Sequence, residues 1–202
     1  QLLSFLLRYS LVVVLGLAIM VFVFYPMLVS LTVKKLSWKR FSSGMRDAQL
    51  TAFSTSSSVA TLPVTMQSVH EKLGVSSRTS SFVLPIGATV NMDGTSMYQA
   101  IAVVALAQFH MVDLAWSQQA VIVLTATLAS IGAAAVPSAG LVLMIIVLES
   151  VGLNPAWIAL IFPVDRILDM CRTVVNVTGD GAVSSMIAAS ENELHPETPA
   201  AQ

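Results

Sequence analysis

The sequence predicts an all-α integral membrane protein, with transmembrane helices plus two re-entrant helical hairpins arranged as an inverted repeat. Three observations carry that reading. Hydrophobic residues make up 55% of the chain and charged residues only 10%, against about 25% charged in soluble domains. That leaves too little polar surface to cover a water-soluble globule. Leu11 to Val33 runs 23 residues without a charge, long enough to cross a hydrocarbon core of about 30 Å. Two further apolar segments are each broken at mid-length by small polar residues. At a mean hydropathy of +0.80, loops between short soluble helices do not account for them.

The elements follow in order. Leu11 to Val33 is a span, kinked at Pro26. Lys34, Lys35, Lys39, Arg40 and Arg46 then crowd one loop with no acid among them, which marks the cytoplasmic side. Residues 1–47 thus read as a transmembrane helix with its basic cytoplasmic loop. Residues 48–69 are too polar at the centre for an ordinary span. STSSSVAT and Pro63 split them into the arms of a first hairpin. Lys72 and Arg78 supply a second basic loop. Residues 81–108 form a span interrupted at NMDGT, Asn91 to Thr95. The following loop, FHMVDLAWSQ, has no Lys or Arg and belongs outside. Residues 119–148 form the second hairpin, split by SIGAAAVPSAG, Ser130 to Gly140. Residues 156–188 form the last span, so that 48–188 is one core unit. Residues 189–202 read as a cytoplasmic tail, with ENELHPETPAAQ disordered. The opening QLLSFLL has no initiator Met and no cleavage pattern, which leads us to expect a piece of a longer membrane protein.

Two broken hairpins entering from opposite faces, each followed by a span, are the pattern of transporters whose half-helix ends meet at the bilayer midplane. The last span strengthens the case. Asp165, Asp169, Arg172, Asn176 and Asp180 are spaced i, i+4, i+7, i+11 and i+15. At about 100° per residue they share a stripe roughly 80° wide, with Thr173 at its edge. A polar stripe in a membrane faces a partner or a cavity. A structural Asp–Arg pair would explain one acid, not three acids and an amide against one stripe arginine. The excess negative charge calls for cations, and carboxylate and carbonyl oxygens suit a hard ion such as sodium. Arg166 lies about 100° or more around the helix from most of the stripe, which leaves Arg172 as the cation of the pocket.

Other classes fit less well. A net charge of −1 implies no attraction to nucleic acid, and a single cysteine, Cys171, excludes an internal disulfide. An intramembrane serine protease needs a base beside its nucleophile, yet His70, His110 and His195 all fall in loops or the tail. An aspartyl pair sharing a proton is disfavoured by Arg172 standing between Asp169 and Asp180. A passive anion channel remains the third class.

The motifs SSSVATLPVT, LPIGATVNMDGT, LASIGAAAVPSAG and LDMCRTVVNVTGD, in this order and spacing, resemble the dicarboxylate/amino acid:cation symporters. That family includes the excitatory amino acid transporters and archaeal aspartate transporters. The resemblance covers nearly the whole chain and implies the mobile transport domain of an elevator-type carrier, a homotrimer when complete, multi-pass in the cell membrane. Its members are about twice as long, so most of the trimerisation scaffold would be missing here.

By motif position, the resemblance implies that Asp169 binds the substrate amino group. Thr173 and the carbonyls of Ser56 and Val136 help it. Ser58 and Asn176 hold the α-carboxylate. Arg172 takes a side-chain carboxylate, with Thr95 and the main chain near Gly140 alongside. The chemistry agrees, because a guanidinium fork matches a carboxylate in two bonds. For sodium it implies the carbonyls of Gly87, Asn91 and Asn176 with the Asp180 carboxylate. Thr89 with the carbonyls of Ser130, Ile131 and Ala133 would hold a second ion. Asp93 with the Asn91 side chain would start a third site, whose other ligands lie on a helix absent from this chain. Sodium is the expected coupling ion, no organic cofactor is expected, and the substrate is an acidic amino acid, aspartate or glutamate. Ser56 and Met170 stand where relatives often carry an extra arginine. Ala135 and Ser138 replace glycines common at the second tip. Gln99 occupies the place of a glutamate held to carry the proton in the animal transporters, so no proton step is expected.

Overall fold

The computed structural model describes residues 2–133 and 137–195. Among them every named element is helical, and the one β-bridge joins Val75 to Leu194. Helix α1 (Leu2–Ile19) runs through a π-helical turn (Met20–Phe24) into α2 (Tyr25–Thr32), one continuous rod of 31 residues. It starts earlier than the uncharged run, because a lone exposed Arg8 does not interrupt a helix. Pro26 has no N–H for the turn before it. The backbone widens there, and the Tyr25 N–H reaches the Met20 carbonyl five residues back. The kink expected at Pro26 is therefore a π-turn just upstream of it.

A short helix, α3 (Trp38–Gly44), forms inside the basic loop, capped by the Ser37 side chain accepting from the Arg40 N–H at 3.3 Å. Helices α4 (Arg46–Thr55) and α5 (Ser58–Gln67) pack on each other. Their two-residue connection is possible because Ser56 takes the left-handed conformation, φ 53°, which costs a non-glycine residue roughly 1–2 kcal/mol. The span at 81–108 is two helices, α6 (Ser77–Val90) and α7 (Asp93–Phe109). Asn91 (φ −88°, ψ 82°) and Met92 (φ −110°, ψ 47°) leave the helix between them. Helices α8 (Trp116–Ile131) and α9 (Ala139–Ser150) make a second packed pair. A 3₁₀ turn (Pro155–Leu160) leads to α10 (Phe162–Ser190).

Helix α10 is the axis of the molecule, touching α1, α2, α4, α5, α6 and α7. It is flanked by the two helix pairs, and its acids, its amide and Arg172 are all buried, whereas Arg166 is exposed. The outside is the reverse: Leu7 and Leu11 on α1, Leu124 and Leu128 on α8, and Val142 and Ile146 on α9 are exposed. In lipid such side chains lie in a solvent as apolar as themselves, so burial inside protein gains little and polar pairing supplies the glue. Among the described residues, only Leu2–Thr32 is long and apolar enough to cross a membrane by length and composition; α8 and α9 are shorter apolar helices.

Part of the segment expected to be disordered is held. The Ser76 N–H donates to the Glu193 carbonyl (3.0 Å) and the His195 N–H to the Gly74 carbonyl (2.7 Å). The hydroxyls of Ser76 and Thr79 both donate to the Glu193 carboxylate, and Arg78 lies 3.5 Å from it. The Ser76 and Thr79 hydroxyls, then Arg78, hold the Glu193 carboxyl below the usual carboxylate range. A carboxyl lowered on folding stabilises above its unfolded pKa, and loses that contribution as pH falls through the lower folded value. Amide exchange at Ser76 and His195 is therefore expected to stay protected at neutral pH, and to lose protection only below the ordinary glutamate range. Glu193→Gln should lower both protection factors at pH 7. Unchanged protection would mean that the backbone pairs alone hold the segment.

Candidate functional site

The tip of the first helix pair, the break between α6 and α7, the start of α9 and the middle of α10 converge on one cavity. Ser56, Ser58, Met92, Thr95, Ala133, Gly140, Asp169, Thr173 and Asn176 line it, with Ala139. Its volume is about 20 Å³, room for a water rather than an amino acid, since a water needs roughly 10–15 Å³ by this measure. Each wall follows from local chemistry. Ser58 opens α5, and Thr95 lies in the first turn of α7, where N–H groups are free for anions. Asn176 is fixed: its Oδ1 accepts from the Gly94 N–H at 2.8 Å, and its Nδ2 faces Met92 Sδ (3.2 Å) and Thr95 Oγ1 (3.4 Å). The Thr173 hydroxyl donates to the Asp169 carbonyl (2.9 Å), and the Asp169 Oδ2 accepts from the Ser138 N–H (2.9 Å). Ser138, at φ 61°, is left-handed, a conformation that favours glycine. The Ser56 Oγ is buried without a partner among the described residues.

Arg172 stands behind this cavity rather than in its wall. Only 1% of it is exposed. Its Nη2 donates to Asp165 Oδ1 (3.0 Å) and Asp169 Oδ1 (2.7 Å), and its guanidinium lies over the Tyr98 ring, 3.8 Å from the centroid. The Tyr98 hydroxyl in turn donates to Asp165 Oδ1 (2.9 Å). Yet Nε and Nη1 have no partner among the described residues. A Cβ built on Gly140 would come 3.4 Å from Nη1. The unused Nη1 thus sits against Gly140, a residue of the cavity wall. Gln99 braces the same place, its Nε2 donating to the Gly140 carbonyl at 2.8 Å.

A second cluster lies deeper along α10. Asn91 Nδ2 donates to Asp180 Oδ1 (2.9 Å) and to the Asn176 carbonyl (3.3 Å). Gly87 completes it by having no side chain, since a Cβ there would lie 2.5 Å from Asp180 Oδ1. Asp180 is buried and has no cationic partner among the described residues. The Asp180 carboxylate and the Asn176 carbonyl meet at one point, oxygens of the kind a hard monovalent cation takes. The amide N–H of Asn91 meets the oxygens that such an ion would draw on. Asp93 adjoins the cluster, its Oδ2 accepting from the Tyr25 hydroxyl.

The rest of the expected ligands are not all gathered. Thr89 is exposed, and its hydroxyl turns back to the Ile86 carbonyl (3.0 Å). Among the described residues no hydrogen bond joins it to Ser130, Ile131 or Ala133. Of that trio, Ala133 borders the first cavity and Ile131 is exposed. Val136 and Ala135 lie outside the described residues. Arg166 departs from the angular argument: its long side chain bends back to within 4.0 Å of Asp169 Oδ2, although it is 57% exposed. Sequence reasoning missed Tyr98 and Tyr25. Tyr25 carried a signal, because a tyrosine inside a charge-free span needs a partner for its hydroxyl.

Buried acids on a central helix, a break in the facing helix and the approach of both helix pairs set two polar clusters inside an apolar, helical membrane protein. The chain belongs to the sodium:dicarboxylate symporter family, which it matches over residues 1–190. It is 52% identical over 187 residues to excitatory amino acid transporter 3 of Oryctolagus cuniculus, covering 92% of this chain and 36% of that protein. It is 47% identical over 187 residues to excitatory amino acid transporter 1 of Rattus norvegicus, covering 92% and 34%. A putative sodium-dependent excitatory amino acid transporter of Caenorhabditis elegans, glt-4, is 47% identical over 182 residues, covering 90% and 36%. The chain spans about a third of the length of the curated relatives it matches, less than the half expected. The family and these relatives are membrane transporters rather than enzymes.

Proposed function

We propose that the protein carries out sodium-coupled secondary active transport of acidic amino acids by elevator-type alternating access. The observation that carries this is the pairing of Asp169, at the cavity wall, with the unused Nη1 donor of Arg172 behind Gly140. An ammonium on the first and a distal carboxylate on the second would need only a small opening of the α9 start. The names of the relatives support the substrate class, and that of glt-4 the sodium dependence.

In this reading α4–α5 and α8–α9 are re-entrant hairpins related as an inverted repeat, and 48–188 is the moving unit. Residues 1–47 are its flanking span and basic cytoplasmic loop, and 189–202 a cytoplasmic tail. Ser56, Ser58, Thr95, Gly140, Thr173 and Asn176 complete the substrate site. Gly87, Asn91, Asn176 and Asp180 hold one sodium ion, with Asp93 beside them. The intact protein is a trimer.

Uptake of labelled aspartate by vesicles containing the intact protein tests the reading. Uptake is expected to require inward sodium and to resist a large excess of succinate. Succinate would leave Asp169 facing an apolar or anionic group, a mismatch of several kcal/mol. Sodium-independent uptake would overturn the coupling, and succinate competing as well as aspartate would overturn the substrate class.

A further inference from the structure

We propose that the pocket between the π-turn, α3 and α4 binds the headgroup of an anionic phospholipid. The pocket has a volume of about 400 Å³, and Val21, Phe22, Trp38, Lys39, Ser42 and Arg46 line most of it. Lys39 and Arg46 are exposed and make no ion pair among the described residues. The acid adjoining Arg46 in sequence, Asp47, is taken by Lys72. Two positive charges therefore meet in one concave place without compensation. Ser42 adds a buried hydroxyl that has no partner among the described residues, a donor suited to a phosphate oxygen. Val21 and Phe22 supply an apolar flank, and Phe22 is 65% exposed.

The pocket also adjoins the basic segment that follows the rod, Lys34 to Arg46, which the positive-inside reading sets at the cytoplasmic face. Trp38, half-exposed beside Lys39, is the residue type that seats at this boundary. Basic pockets against transmembrane helices on the cytoplasmic side are where anionic headgroups bind. A phosphodiester fits between the two cations, with its acyl chains running along Phe22 toward the bilayer interior. This placement rests on the reading that the basic face abuts the inner leaflet, whereas the binding itself does not depend on transport.

Lipid binding to the intact protein in neutral detergent, followed by native mass spectrometry, tests the site. Phosphatidylglycerol is expected to bind more tightly than phosphatidylcholine. Lys39→Gln with Arg46→Gln should weaken phosphatidylglycerol by about 30-fold and leave phosphatidylcholine unchanged. Lys34→Gln with Lys35→Gln, which alters charges outside the pocket, should have a smaller effect. The site is refuted by equal binding of the two lipids, or by an unaffected Lys39/Arg46 double variant. An equal loss in the Lys34/Lys35 control would reduce it to diffuse surface charge. Displacement by tail-free glycerol phosphate at the same concentration would make it a phosphate site rather than a lipid site. Failure of sodium-driven uptake would leave all these outcomes readable.

Discussion

Gly94→Ala is expected to abolish stable folding of the α7–α10 contact and with it all binding at both clusters. A Cβ on Gly94 would lie 2.5 Å from the Arg172 carbonyl oxygen, 2.9 Å from Val175 Cβ and 3.1 Å from Arg172 Cα. None of these atoms can swing away, since two are helix backbone and the third is the branch point of a stiff side chain. Helix α7 would have to retreat from α10. That retreat breaks the 2.8 Å bond from the Gly94 N–H to Asn176 Oδ1 and pulls Tyr98 off both Arg172 and Asp165. Overpacking costs about 1–3 kcal/mol, and a buried acceptor left unsatisfied another 1–3, so a loss of about 2–6 kcal/mol is expected. Gly181→Ala is the control. Its Cβ would also meet an atom at 2.6 Å, but that atom belongs to the mobile end of Met45, which can rotate. Thermal unfolding in detergent should separate the two variants widely. A Gly94→Ala protein melting alongside Gly181→Ala would show that α7 and α10 have slack that their contact distances do not suggest.

The same contact shows what was legible in the sequence. The stripe on α10 follows from spacing alone, because helical period fixes which residues share a face. The break at NMDGT was legible because Asn, Asp and Gly together oppose a continuous helix. The π-turn before Pro26 was legible as a kink but not in its form, since a missing N–H can be met by several backbone arrangements. Helix α3 was hidden among lysines and serines whose helical bias is weak, and only the Ser37 cap marked it. The latch at Glu193 was invisible because it pairs residues more than a hundred apart with no apolar pattern between them. Arg172 is the instructive case. Spacing put it on the stripe with Asp165 and Asp169, but a long side chain on a stripe can point across to a cavity or along its own helix. Tyr98 decides between these by offering its ring face, and nothing in the sequence near Arg172 announces Tyr98. Arg166 fails the angular argument for the same reason, since a backbone angle does not bound the reach of a guanidinium.

That arrangement sharpens the expectation for Arg172→Cys, which should damage stability and selectivity by separable routes. Arg172 serves Asp165 and Asp169 together, both buried. Removing one partner of a buried pair costs about 3–5 kcal/mol, because the other charge is left uncompensated. Asp169 keeps the Ser138 N–H and the nearby Arg166, whereas among the described residues Asp165 keeps only the Tyr98 hydroxyl. Most of the stability loss should therefore come from Asp165. Adding Asp165→Asn should recover much of it, since a neutral amide can still accept from Tyr98. Selectivity should not recover. In both the single and the double variant an aspartate side-chain carboxylate has lost its guanidinium, which corresponds to roughly two to three decades of affinity. The proposed amino-group and α-carboxylate anchors at Asp169, Asn176 and Ser58 remain, so weak sodium-dependent binding of serine should appear. Arg166, more than half exposed, is a screened partner worth up to about 1 kcal/mol and cannot make up the difference. Binding isotherms for aspartate and serine, taken beside melting curves of both variants, separate the two routes. A stabilised double variant that binds aspartate with near-native affinity would show that the preference for acidic substrates does not reside in Arg172.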